Sequence, residues 1–383
     1  MLVAMDALLY PFALTTLKGV FGMDNAAAGL LASASLVSSA AGGIGFGVIA
    51  DRIGRKRALI LTILIYSLGS AGAATARTVW ELIFWRAVIG IGWGGEWTCG
   101  AVLVSETWPA EHRGKAQGVM SSGWSLGYIL AAVVTALVLP HWGWRGLFAI
   151  GGLPALLALF VWRAVPEPML WQSRTTPVWK EATGIFRGPL RRTTLVATSL
   201  TTSVLLAYWG LFTWLPGFLS TPVERGGAGL SIVRSSAWII PVQAGAFLGY
   251  ILFGFNADRV GRRPIFVIYT LAAAALVPIY GQMARNQTAL LVLGPAIGFF
   301  GTGFFGLFGA LLAELYPTAI RGAGQGFTYN AGRAVSALSP YLVGALADRG
   351  GLGSALAVTS AFFTLGAILV WFLPETRGRD LAG

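Results

Sequence analysis

Few residues in this sequence are suited to covalent or redox chemistry. The 383 residues include one cysteine, Cys99, and two histidines, His112 and His141. A lone thiol closes no internal disulfide, and two separated histidines supply no metal-ligand cluster. The apolar spans hold no serine–histidine–aspartate constellation, and the chain has no Walker-type phosphate loop, so neither a membrane-embedded enzyme nor an ATP-driven pump is expected. No cofactor is expected either. Charge is scarce too: charged residues make up 11% of the chain against 56% hydrophobic, and the mean hydropathy is +0.71. Such a chain lacks the polar residues to cover a water-facing surface.

What charge there is leans positive, with 27 Lys and Arg against 15 Asp and Glu. A nucleic-acid binder would gather that excess into one basic stripe. Here it is scattered through short segments between apolar blocks, so the bilayer is the expected partner and nucleic acid is not. The blocks are about twenty residues long, the length needed to cross a hydrocarbon core of ~30 Å. They fall near Leu2–Phe21, Ala27–Ala50, Ala58–Ala76, Val79–Val104, Ala116–Leu139, Leu147–Val165, Thr193–Leu219, Ile232–Phe255, Ile265–Ala284, Ala289–Leu312, Gly324–Leu346 and Leu356–Leu373. The 52 glycines suit close helix packing through small-residue contacts.

When alternate loops are assigned to opposite sides, 18 basic residues fall on one side and 7 on the other, with Arg86 and Arg333 inside spans. The positive-inside rule makes the richer side cytoplasmic and puts both termini there, as expected for a multi-pass protein of a bacterial inner membrane. The first span starts at Met1 without a basic leader, the pattern of a short first helix or a truncated start. No charged n-region or cleavage pattern precedes the apolar stretch, so it does not read as a cleavable signal peptide.

The chain repeats itself. Gly47-Val-Ile-Ala-Asp51-Arg52-Ile-Gly54-Arg55-Lys56 returns as Gly254-Phe-Asn-Ala-Asp258-Arg259-Val-Gly261-Arg262-Arg263, 207 positions later. Glu106-Thr-Trp-Pro109 returns as Glu314-Leu-Tyr-Pro317, and Pro166-Glu167 as Pro374-Glu375, both 208 positions later. Several matches at almost one offset imply two six-helix halves, residues 1–165 and 193–383, joined by a basic cytoplasmic linker, 166–192.

The two loop motifs, together with Arg86-x-x-x-Gly90-x-Gly92 in the fourth span, resemble the major facilitator superfamily over essentially the whole chain. Gly94-Gly95-Glu96-Trp97, the Ser105-Glu-Thr-Trp-Pro stretch and Phe327-Thr-Tyr-Asn330-Ala-Gly-Arg333 are similar to its metabolite:proton symporters of the sialate and aromatic-acid groups. The resemblance implies an all-α membrane protein with twelve transmembrane helices in two pseudo-symmetric bundles, working by alternating access; a monomer is expected. In the loop motif, Asp51 and Asp258 can accept hydrogen bonds or pair with arginines at helix ends, while Gly54 and Gly261 permit a tight turn. Gly47, Asp51, Arg52, Gly54 and Arg55, with Asp258, Arg259, Gly261 and Arg262, are therefore the candidate gate; a generic topogenic loop is the plainer alternative.

Ionisable groups within spans are functional candidates because hydrocarbon tolerates them only when paired, hydrated or protonated. They are Asp6, Arg86, Glu96 and Arg333. The last three have no counterpart in the repeat, where Gly294, Phe304 and Ser125 stand instead, which favours transport chemistry over scaffold. Arg333 suits bidentate capture of a carboxylate or, failing that, a structural ion pair. Glu96 suits a proton carrier or a permanent arginine partner. The resemblance links Asp6 and Arg86 to proton coupling, and organising the packed helix termini near the outer face is the plainer alternative for Arg86.

Aromatic residues Trp93, Trp97, Trp124, Tyr128, Tyr208, Trp209, Trp214, Trp238 and Tyr329 are candidates to line the path. Tyr329 and Arg333, four apart, share a helix face. Gln243 and Asn330 are hydrogen-bonding candidates or helix-packing groups. The expected function is proton-coupled uptake of a small organic anion. A proton antiporter is the nearest rival, yet family antiporters carry a Gly-Pro pair in the fifth helix where this chain has Gly127-Tyr128. A non-transporting sensor of the same fold is a further alternative.

Overall fold

The computed structural model describes residues 1–107, 110–165, 183–316 and 321–376, and among them every regular element is a helix. Four helices make the first four crossings: α1 (Leu2–Phe21), α2 (Asn25–Ile53), α3 (Arg55–Ala73) and α4 (Val79–Thr107). α5 (Ala110–Ile150) contains the fifth crossing and turns back at Gly143, whose φ of 64° and ψ of −173° are not helical. The sixth crossing continues from there into α6 (Ala155–Ala164). α7 (Gly188–Ser220), α8 (Ile232–Val260) and α9 (Arg262–Gln282) are the next three. The tenth crossing joins α10 (Gln287–Thr302) to α11 (Phe305–Glu314), the eleventh α12 (Arg321–Ser336) to α13 (Leu338–Gly350), and the twelfth α14 (Leu352–Ala357) to α15 (Thr359–Leu369).

All twelve crossings read from the sequence thus have helical counterparts among the described residues. By length and composition alone, 7 segments are apolar enough to span a membrane. The others are charged or interrupted: α3 opens on Arg55, Lys56 and Arg57, α4 carries Glu81, Arg86 and Glu96, and the tenth and eleventh crossings are broken. α7 starts earlier than its hydropathy suggests, because Pro189 occupies the first turn, where its missing N–H costs nothing. Arg191 and Arg192, read as linker, belong to that helix.

Sequence chemistry sets the helix starts on one face of the bundle. Asp24, Ser231 and Asn286 each accept a backbone N–H three residues on, from Ala27, Arg234 and Ala289. Within each half, helices cross at backbone contact. A methyl group at Gly94 would lie 1.8 Å from the Ser39 carbonyl oxygen, and one at Gly298 would lie 1.7 Å from that of Val242. Only glycine allows these approaches of α4 to α2 and of α10 to α8. Large apolar side chains such as Leu68, Trp80, Leu137, Leu156 and Val292 point outward and are exposed. In water that belt would be costly; against lipid tails it is not.

The halves meet closely on the capped face. Asn25 on α2 donates from Nδ2 to Oδ1 of Asp348 on α13 at 2.5 Å and accepts a hydrogen bond from Lys18 of α1. Thr15 and Ser220 pair at 3.2 Å across α1 and α7. Midway down, Tyr128 donates to the Phe212 carbonyl at 3.0 Å. Towards the opposite face, which carries the Gly54 and Gly261 turns, the halves separate around a cavity.

Candidate substrate cavity and gate

That cavity is lined by side chains of both halves. Its first-half wall comes mainly from α4, where Trp93, Glu96, Trp97 and Gly100 follow the i, i+3, i+4, i+7 spacing of one helix face. Trp124 of α5 joins them. The second half supplies Tyr208 and Trp209 of α7, Tyr250 of α8, and Tyr329 and Arg333 of α12. Met1, Met120 and Gln325 line the end nearest the Gly54 and Gly261 turns.

Arg333 is 2% exposed, yet among the described residues no carboxylate pairs with it. Its Nη2 donates to Tyr329 Oη at 3.2 Å, while Nε and Nη1 have no hydrogen-bond partner. Aromatic faces surround the guanidinium instead, with Cζ 4.9 Å from the Trp93 and Tyr329 ring centres and 5.9 Å from that of Trp97. Trp97 and Tyr329 stack at 4.2 Å with 13° between planes, and Trp93 stacks on Trp124 at 5.8 Å. Trp124 Nε1 donates to Tyr208 Oη at 2.8 Å, joining the halves across the cavity. Half-buried Glu96 lies on the same wall, within electrostatic reach of Arg333.

Trp93 and Trp209, edge to face at 5.2 Å, separate the cavity from a small second void toward the capped face. Arg86 lines that void, with Cζ 4.6 Å from the Tyr10 ring centre and with Nε and Nη1 unpartnered. Asp6 is its electrostatic neighbour, 1% exposed, and neither carboxylate oxygen has a hydrogen-bond partner. The ionisable groups within spans therefore form two couples, Glu96 with Arg333 and Asp6 with Arg86, on either side of an indole partition.

Several candidates sit elsewhere. Gln243 is buried on α8 on the same face as Tyr250, but seven residues nearer the capped face, so it lies about 10 Å from the cavity's level. Asn330 is turned away from Tyr329 by one residue's rotation; its side chain packs on Gly43 of α2 and donates to the Gly326 carbonyl at 2.9 Å. Trp214 and Trp238 spend their indole N–H groups on the Pro340 and Gln287 carbonyls, so they brace helices, as Tyr128 does. The sequence reading missed Tyr250, Phe308 and Gln325. Tyr250 could have been found from its i, i+7 relation to Gln243.

The candidate gate motif is twofold in the structure. Gly54 and Gly261 take matching left-handed turns, φ 103° with ψ 153° and φ 123° with ψ 155°. Arg55 donates from Nη1 to the Ala50 carbonyl at 2.8 Å, and Arg262 to that of Ala257 at 3.2 Å. Both arginines are buried, whereas Arg52 and Arg259 are exposed. Arg262 also pairs with Glu314 at 3.2 Å, and Glu375 accepts the backbone N–H groups of Arg262 and Arg263 at 3.0 and 3.1 Å. Thr376 completes the corner by donating to Glu314 at 2.5 Å. The side chains of Asp51 and Asp258 lie outside the described residues. The glutamates, which recur at an offset one residue longer than the motif's, went unread as its partners. Gly47 lies against Thr98 of α4.

The sequence profile described as the Major Facilitator Superfamily matches residues 1–239 and again 229–382. A cis,cis-muconate transport protein of Acinetobacter baylyi is 30% identical, over 97% of this chain and 91% of that protein. The sialic acid transporter NanX of Escherichia coli is 28% identical, over 96% and 90%. Among solved structures, a D-xylose–proton symporter superposes with a TM-score of 0.77 at 21% identity, covering 99% of this chain and 98% of that one.

Proposed function

This chain belongs to the major facilitator superfamily, whose members are multi-pass membrane transporters and not enzymes, and from that premise we propose that it takes up a small organic carboxylate together with a proton. One observation carries the reading: a buried guanidinium at the cavity wall, with two nitrogens unpartnered and aromatic rings on its flanks. A carboxylate can take the fork that the second Nη2 hydrogen makes with Nε or with Nη1, and the rings cover the apolar remainder of the anion. Similarity to the muconate and sialic acid transporters supports the same ligand class.

Proton coupling falls to Glu96, Asp6 and Arg86. Each carboxyl group lies near an arginine without a close ion pair, so gaining or losing a proton changes the field on the arginine beside it. Uptake of labelled muconate, sialic acid and benzoate into proteoliposomes, with and without a pH gradient, tests the reading. In Glu96→Gln, exchange of internal for external substrate continues while accumulation driven by the gradient is lost. If Glu96→Gln accumulates substrate as wild type does, Asp6 is the carrier, and Asp6→Asn takes the loss.

The basic excess supports a cytoplasmic position for the Gly54 and Gly261 turns in a bacterial inner membrane, with both termini on that side. In that orientation the cavity opens inward and the capped face is the closed outer gate. The transporter works as a monomer, with no nucleic acid and no cofactor, and the linker 166–192 joins halves that rock about the cavity. In a Cys99→Ala background, Arg57→Cys is labelled by an impermeant thiol reagent only when the inner face is presented. Labelling from outside intact cells overturns the orientation.

A further inference from the structure

The cavity does not explain the surroundings of Asp6. Its carboxylate is faced by Tyr66 and Ser70 of α3 and by Arg86 of α4, whose guanidinium lies over the Tyr10 ring. From the sixth crossing it meets Gly151, which has no side chain to offer. A methyl group there would lie 2.2 Å from Asp6 Oδ1 and 2.1 Å from Ser70 Oγ, so the two oxygens border one gap.

Ser70 also reaches the sixth crossing itself, donating from Oγ to the Phe148 carbonyl at 3.1 Å. That carbonyl is available because the helix breaks there. Gly152 N–H bonds to Ala149 O and Leu153 N–H to Ile150 O, both at 3.0 Å and three residues back rather than four.

A serine hydroxyl has one proton to donate. An ionised Asp6 can only accept, and it draws the Ser70 hydroxyl away from Phe148. A protonated Asp6 can instead donate to Ser70 Oγ, which leaves the serine proton on the Phe148 carbonyl. We propose that Ser70 is a positioning residue that links the protonation state of Asp6 to the break in the sixth crossing, with Gly151 as the gap in which their oxygens meet. The inference rests on the reading in which Asp6 takes part in proton coupling. It names one hydroxyl as the switch and gives the sixth crossing, which carries no ionisable group near Asp6, a way to respond to a proton bound on the first.

Infrared difference spectroscopy of the reconstituted full-length protein between acidic and alkaline buffers tests it without a substrate. The carboxyl C=O band of Asp6 is the one that Asp6→Asn abolishes. In Ser70→Ala that band moves to higher wavenumber, because the acceptor for its O–H is gone, and Ser70→Thr returns it. Gly151→Ala, which forces the oxygens apart, moves it the same way. A band unmoved in Ser70→Ala overturns the role of Ser70 alone. If Asp6→Asn removes no titrating band, the Asp6 reading fails and the inference fails with it.

Discussion

Two buried arginines of the second half show how differently one side chain can be used. Arg262, 8% exposed, pairs with Glu314 and donates to the Ala257 carbonyl at the Gly261 turn. Arg333, 2% exposed, has one hydrogen bond to a tyrosine and a cage of rings. Arg262 repeats in the first half as Arg55, in the same contact with a helix-end carbonyl; Arg333 repeats as Ser125. Burying a charge is costly unless it is paired. On the function proposed above, an arginine that recurs and is paired serves the shared scaffold, whereas one that does not recur and is left short of partners is the one that meets the ligand.

The largest effect that can break this comparison is Arg333→Lys. The ammonium keeps the charge but loses the planar fork, and a charge-assisted hydrogen bond is worth about 1.5–3 kcal/mol. Carboxylate binding to purified protein should weaken roughly ten- to hundredfold, while the melting temperature stays near that of wild type. Unchanged affinity would make Arg333 a scaffold residue like Arg262.

Glu314→Gln sharpens the comparison from the other side. It keeps the shape of the corner and the hydrogen bond from Thr376 but removes the ionic partner of Arg262. We expect a stability loss of about 1–2 kcal/mol, seen as a lowered melting temperature in detergent, with carboxylate affinity within about twofold of wild type. A large loss of affinity with unaltered stability would reverse the two roles.

Why the sequence shows the scaffold better than the site follows from these same residues. Twenty-residue apolar blocks and a motif repeated at one offset are local patterns, and the physics behind them, hydrocarbon thickness and helix turns, is local too. Trp93, Trp97, Trp124, Tyr208, Trp209, Tyr329 and Arg333 could be named because tryptophan and arginine within a span are costly to leave without a role. Gln243 and Asn330 misled because hydropathy carries no depth or rotation: one sits too near the capped face, the other a helix face away from the cavity. The Arg262–Glu314–Glu375 corner joins the ninth, tenth and twelfth crossings, and no single stretch of sequence brings those together. Nor could sequence show that Ser70 and Gly151 of different crossings flank Asp6.

The smallest effect concerns the face where the halves touch. Lys18, Asn25 and Asp348 form a polar chain across the first, second and eleventh crossings, and with it closed the capped face seals the end of the path beyond Arg86. The chain lies at the surface, where such pairs are worth about 0–1 kcal/mol each, so it biases the closed state without locking it. Asn25→Ala removes the bridge but leaves Lys18 free to approach Asp348, and the two can pair directly. The expected change in that single variant is therefore slight, and the double variant Asn25→Ala with Asp348→Asn is the decisive one. A reporter cysteine at Thr213, which lines the void beyond the Trp93 and Trp209 partition, reads the opening in a Cys99→Ala background. An impermeant thiol reagent applied to the capped face should label it up to about fivefold faster in the double variant, the factor that 1 kcal/mol provides. Labelling at the wild-type rate would mean that apolar contacts alone, such as Gly29 against Pro340, close this face, and that the polar chain contributes nothing to the balance between states.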